Sequence, residues 1–134
     1  MAKVLKNFQL MELGGMSVLT DKGRAEIGDT LGLTGCEISV NSIPAERGSE
    51  FVHAHKRNEE VYLILRGSGI FYMDGEEFPI REGSVIRVDP AGKRALKAGK
   101  EELLYICIQA EKNSLIQKTF GDGVVIKDVK TSWL

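Results

Sequence analysis

Short apolar runs broken by single polar residues recur along the chain, and no stretch sustains the three-to-four-residue spacing of an amphipathic helix. Runs rich in Val, Ile, Phe and Tyr predict strands at residues 36–42, 51–55, 60–65, 68–73, 76–79, 84–88, 94–98 and 103–109. Turn chemistry separates them at Arg66-Gly67, Asp74-Gly75, Glu82-Gly83, Asp89-Pro90-Ala91-Gly92 and Gly99-Lys100. Asp74-Gly75 is the strongest hairpin signal, because a two-residue turn matched to strand twist needs positive φ. Any helix is short, near residues 21–28 or 113–120. Regularly spaced short strands indicate an all-β sandwich or barrel. No repeat, linker or low-complexity segment divides the 134 residues, so they are expected to form one domain. Phe51, Tyr62, Ile64 and Phe71 are the expected core positions.

Composition is ordinary for a globular chain, with 43% apolar and 28% charged residues. The formal net charge of -1, with no basic or acidic tail, offers nothing to attract nucleic acid or an anionic membrane. No apolar run approaches a bilayer span, and the first fifteen residues lack the apolar centre of a secretory signal. A cytoplasmic location is the expectation. Cys36 and Cys107 lie far apart in sequence and in no Cys-x-x-Cys context, which suits two reduced thiols.

Candidate chemistry concentrates in one place. The chain has two histidines, His53 and His55, and on an extended segment positions i and i+2 project from one side. If residues 56–59 turn, Glu60 returns beside them at the head of the run Val61-Tyr62-Leu63-Ile64-Leu65. Two imidazoles and a carboxylate suit Zn, Fe, Mn, Ni or Co, and leave coordination positions open for water or substrate. Replacing His53 or Glu60 is expected to remove the metal and spare the fold.

His53-x-His55-x4-Glu60-x6-Gly67, with Gly48 ahead of it, resembles the first motif of the cupin superfamily. Gly83 through Pro90-Ala91-Gly92 resembles the second, more weakly, and the likeness runs from about Thr34 to Ala110. The resemblance implies a double-stranded β-helix, or jelly-roll barrel, with a divalent metal inside its mouth. It also implies a homodimer paired through the N-terminal segment or sheet edges. The family's fourth ligand, a histidine, falls at position 95, where this chain has Ala95, and its asparagine at Gly99. Three-ligand binding is then expected, or a substitute such as Cys107 or Gln109, or loss of the metal. Lys97, two beyond Ala95, is a candidate anion-binding or proton-carrying residue, and Tyr62 a candidate orienting hydroxyl. The implied activity is that of an isomerase, lyase or dioxygenase on a sugar, keto acid or phenolic compound. The alternative is a non-catalytic module that binds or senses a small molecule.

Overall fold

A computed structural model describes residues 2–15 and 23–134 of the chain. Strands β1 (Ala2–Leu5) and β2 (Phe8–Met11) form a hairpin of their own. After β3 (Arg24–Glu26) comes a single helical turn, α1 (Gly28–Leu31). Seven further strands follow: β4 (Glu37–Ile43), β5 (Asn58–Arg66), β6 (Ser68–Met73), β7 (Glu76–Arg81), β8 (Val85–Val88), β9 (Arg94–Ala98) and β10 (Leu103–Glu111). They build two antiparallel sheets, in the orders β3-β4-β10-β5-β8 and β7-β6-β9. The result is all-β, as the strand pattern predicts, and it is the jelly-roll barrel that the family resemblance implies. Among the described residues no helix is long and apolar enough to cross a membrane.

Strand alternation decides what fills the barrel. Tyr62 and Ile64 of β5 point inward with Phe71 of β6, Ile80 of β7, Val88 of β8 and Leu103 of β10, all at most 5% exposed. The opposite face of the larger sheet carries Val40 and Leu104, which Leu13, Ala25 and Ile27 cover. Three positive-φ residues shape the path. Asp74 (φ 47°) and Gly75 (φ 94°) close the β6–β7 hairpin as the sequence predicts. Gly67 (φ 88°) lets the chain pass from one sheet to the other against the Glu102 carbonyl, where a β-carbon would collide.

Four expectations need correction. Residues 51–55 are not a strand of a sheet: they run extended along β9, linked by an isolated bridge between His53 and Arg94. Phe51 is 70% exposed rather than core, because that segment forms a rim instead of an inner layer. The predicted helix at residues 21–28 is replaced over Arg24–Glu26 by β3, and its first two residues lie outside the described ones. Residues 113–120 lack an α-helix and hold only the start of a 3-10 turn, Thr119–Gly121.

Candidate metal centre

Backbone pairing places the two imidazoles. The His53 N–H donates to the Arg94 carbonyl at 3.1 Å, the His53 carbonyl accepts from the Arg94 N–H at 3.0 Å, and the His55 N–H donates to the Pro90 carbonyl at 2.8 Å. Both side chains thereby enter the barrel mouth from the same side, their rings 5.2 Å apart and edge to face. Glu60 comes from β5, which lies between β10 and β8 in the larger sheet, in register with Gln109 on one flank and Val88 on the other. Its inward position follows from period-two alternation with Tyr62 and Ile64.

The three groups meet. His53 Nε2 lies 3.5 Å from Glu60 Oε1, and His55 Nε2 lies 3.4 Å from Glu60 Oε2. One ligand atom from each residue falls within 4.8 Å of the other two. They face a cavity of about 850 Å³ that Arg24, Ser39, Tyr105, Cys107 and Gln109 also line. Glu60 is only 4% exposed and is held from beneath: the Tyr62 hydroxyl donates to Oε1 at 2.9 Å, and the Cys107 thiol donates to Oε2 at 3.2 Å. Burial pushes the Cys107 thiol up to about 12, with the Glu60 charge acting in the same direction. Burial and Glu60 likewise carry the Tyr62 phenol far above its ordinary range, so both donors keep their protons.

Arg94 is the residue the sequence reading missed. It is fully buried, and its Nε lies 3.3 Å from Glu60 Oε1. Nη1 donates to the Gly92 carbonyl at 2.8 Å, whereas Nη2 is buried without a hydrogen-bond partner among the described residues. Counting from Pro90-x-Gly92 puts the missing family ligand at Ala95, yet β9 turns Arg94, Leu96 and Ala98 inward and Ala95 and Lys97 outward. A guanidinium therefore stands on the inner face beside the triad. Leu96 carried the signal: the one large apolar side chain of that strand marks its core face, and Arg94 shares it.

The other candidates sort accordingly. Tyr62 is at the site. Lys97 is not: it is exposed and lines a separate cavity of about 300 Å³ with Ile70, Tyr72 and Ala95 on the outer face of the smaller sheet. Gln109 reaches the cavity wall, but its side-chain oxygen accepts a hydrogen bond from Asn58 at 2.9 Å. Both Cys36 and Cys107 are free thiols, as the spacing suggested.

Acid should weaken the fold through this cluster. Burial alone would raise the Glu60 pKa, but the Cys107 and Tyr62 hydrogen bonds and the charges of His55 and Arg94 bring it below the ordinary 4.5. Burial lowers His53 below 6.5, against the opposing pull of Glu60. In both cases the unfolded chain takes up the proton first, so stability falls as pH falls. The His53 contribution begins to disappear below about pH 6.5 and that of Glu60 below about pH 4.5. Urea midpoints of metal-free protein should be level above pH 7 and decline in those two windows; a midpoint rising from pH 6.5 to 4.5 would contradict the assignment.

A closed, small all-β barrel carrying two imidazoles and a carboxylate in its mouth defines a class of protein by fold and site together. Comparison with known proteins agrees with that class. The cupin domain family matches residues 41–109, and the chain belongs to that family. A crystal structure of a cupin protein from Bacteroides fragilis is 40% identical, covers 92% of this chain and 100% of its own, and superposes with a TM-score of 0.84. A putative sugar phosphate isomerase from Acidithiobacillus ferrooxidans is 26% identical over 66% of this chain and 59% of its own, with a TM-score of 0.59. The oxalate-binding protein of Thermotoga maritima is 29% identical over 58 residues, 42% of this chain and 48% of its own length. The chain spans just under half the length of the curated relatives it matches.

Proposed function

We propose that this cupin holds one divalent transition metal through His53, His55 and Glu60 and uses it on a small polar molecule admitted to the barrel mouth. The observation that carries the reading is the convergence of both imidazole nitrogens on the two oxygens of one buried carboxylate. The donor set fits a metal. His55 Nε2 is buried without a hydrogen-bond partner among the described residues, which is costly for a polar atom unless something binds it. An ion held there would act as a Lewis acid on a carbonyl or enolate oxygen, with open positions for a bidentate ligand.

The chain's own groups have distinct tasks. Tyr62 and Cys107 each donate to one Glu60 oxygen, fixing the carboxylate so that its remaining lone pairs face the imidazoles. Arg94 balances the Glu60 charge in a place closed to solvent and contributes a fixed positive field toward the mouth. That field favours an anionic or enolisable molecule, in line with the keto acids and sugars expected of the family. Neither Tyr62 nor Cys107 is suited to lose its proton near neutral pH, so a proton carrier would have to come from the substrate or from water.

Arg94 also favours a second reading, a non-catalytic binding module. A guanidinium already beside Glu60 supplies positive charge that a bound ion would otherwise bring. Elemental analysis separates the two. Metal-dependent chemistry predicts about one transition-metal ion per chain as purified, a rise in unfolding temperature on adding that ion to stripped protein, and loss of both in His53→Ala. Metal-free protein that gains no stability from any divalent transition ion would leave the binding module.

A further inference from the structure

We propose that Arg24, on the edge strand β3, anchors an oxyanion at the far end of the molecule that the barrel admits. The proposal rests on the reading of His53, His55 and Glu60 as the site for the near end, and it names what the other end must carry. Arg24 is the one lysine or arginine among the described residues lining the cavity that the triad faces.

Backbone pairing sets its side chain on the inner face. The Gly23 carbonyl accepts from the Ser42 N–H at 2.9 Å, and the Ile27 N–H donates to the Ile38 carbonyl at 2.9 Å, so β3 is held at both ends. Ala25 packs outward on Val40 and Leu104, and by alternation Arg24 faces the other way. Register puts Arg24 opposite Asn41, and Asn41 opposite Tyr105.

The wall beside Arg24 is polar where a barrel interior is ordinarily apolar. Ser39 and Asn41 are 2% and 5% exposed, and buried polar groups are costly unless hydrogen-bonded. They form a chain that ends on the guanidinium. Arg24 Nη1 donates to Asn41 Oδ1 at 2.9 Å, and Asn41 Nδ2 donates to Ser39 Oγ at 2.9 Å. Glu26 takes only the Nε edge, at 3.1 Å, in a half-exposed pair of the kind that contributes little. Nη2 has no hydrogen-bond partner among the described residues, so donors of the guanidinium fork remain for a ligand. Burial pushes the Tyr105 phenol up to about 12, against the pull of Arg24, which leaves a neutral hydroxyl donor on the same wall. Of the other carboxylates on the lining, Glu37 is engaged by the Gly28 and Ile38 N–H groups, and Glu50 stands exposed.

Geometry narrows the occupant. A guanidinium fork matches the oxygens of a carboxylate or a phosphate. The guanidinium reaches Asn41 on β4, and β4 lies two strand steps from β5, about 10 Å at ordinary strand spacing. One small anion cannot meet both ends. The occupant is an extended molecule with chelating oxygens at one end and a carboxylate or phosphate at the other.

Calorimetric titration of the manganese-loaded chain tests this with matched probes. Wild type should bind α-ketoglutarate about tenfold or more tightly than α-ketovalerate, which has the same keto-acid head and no far carboxylate. Glycerate phosphorylated on its terminal hydroxyl, against glycerate, makes the phosphate arm, and the pair with the larger ratio identifies the group. In Arg24→Gln the two members of each pair should bind alike. A wild type that prefers neither charged probe, or that binds none of the four, overturns the proposal. So does an Arg24→Gln chain that folds and keeps the preference. Should that variant fail to fold, a crystal of wild type with the preferred probe decides: its far oxyanion on Arg24 supports the proposal, and any other position overturns it. Manganese uptake is measured separately. A chain that takes no manganese yet keeps an Arg24-dependent preference fails the metal reading alone; one that takes manganese without the preference fails this proposal alone.

Discussion

Glu60→Ala is expected to abolish metal-dependent stabilisation and, in addition, to cost about 3–5 kcal/mol of folding free energy. The second effect runs against the simple expectation from sequence that ligand replacement spares the fold. Glu60 sits on β5, an interior strand of the larger sheet between β10 and β8, and is 4% exposed, with Arg94 fully buried beside it. Removing the carboxylate leaves a guanidinium without its counter-charge in a place water does not reach, and strands the Tyr62 hydroxyl and the Cys107 thiol as donors. His53 provides the contrast. Its side chain is 38% exposed, so His53→Ala should lose the metal equally while costing the apo fold about 1 kcal/mol or less. Chemical denaturation of both stripped variants measures the difference. Equal costs for the two would show that Arg94 does not depend on Glu60.

Arg94→Leu is the second large effect. It deletes the countercharge from a buried carboxylate, and the single substitution should again cost about 3–5 kcal/mol, lowering the unfolding temperature on the order of 10 °C or more. The companion variant decides the cause. Glu60→Gln with Arg94→Leu removes both charges, and a neutral buried pair is often tolerated where one orphaned charge is not. The double variant should therefore be less destabilised than the sum of its parts, with a coupling of roughly 2 kcal/mol or more in the cycle. Additive costs would make Arg94 a packing residue, important for filling space beneath the loop at Pro90–Gly92 and indifferent to Glu60.

Much of this was legible in the chain because two periodicities carry it. Asp74-Gly75 announced its hairpin through the φ values it permits, and β6 and β9 ran where their Val, Ile, Phe and Leu content placed them. His53, His55 and Glu60 were readable as a group because two positions two apart on extended backbone must share a side, whichever neighbour they pair with. What failed was counting where the backbone makes its own adjustment. The spacing after Pro90-Ala91-Gly92 pointed to Ala95 and Lys97, but β9 turns Arg94, Leu96 and Ala98 inward, and an offset of one exchanges a strand's two faces. Phe51 failed for a related reason: an aromatic residue beside a histidine pair reads as core only if the segment is an inner strand, and here it is a rim. The hairpin at β1–β2 and the strand β3 went unnoticed because short strands of three or four residues have too little alternation to register.

His53, His55 and Glu60 are expected to share one ion in the mouth of the barrel. Anomalous scattering from crystals of stripped protein soaked in manganese tests it most directly. A single strong peak is expected within bonding distance of both Nε2 atoms and a Glu60 oxygen, about 2.0–2.3 Å away, and it should vanish in His55→Ala. A map with no peak there, Arg94 still against Glu60 and the ion found only at surface carboxylates, would contradict it.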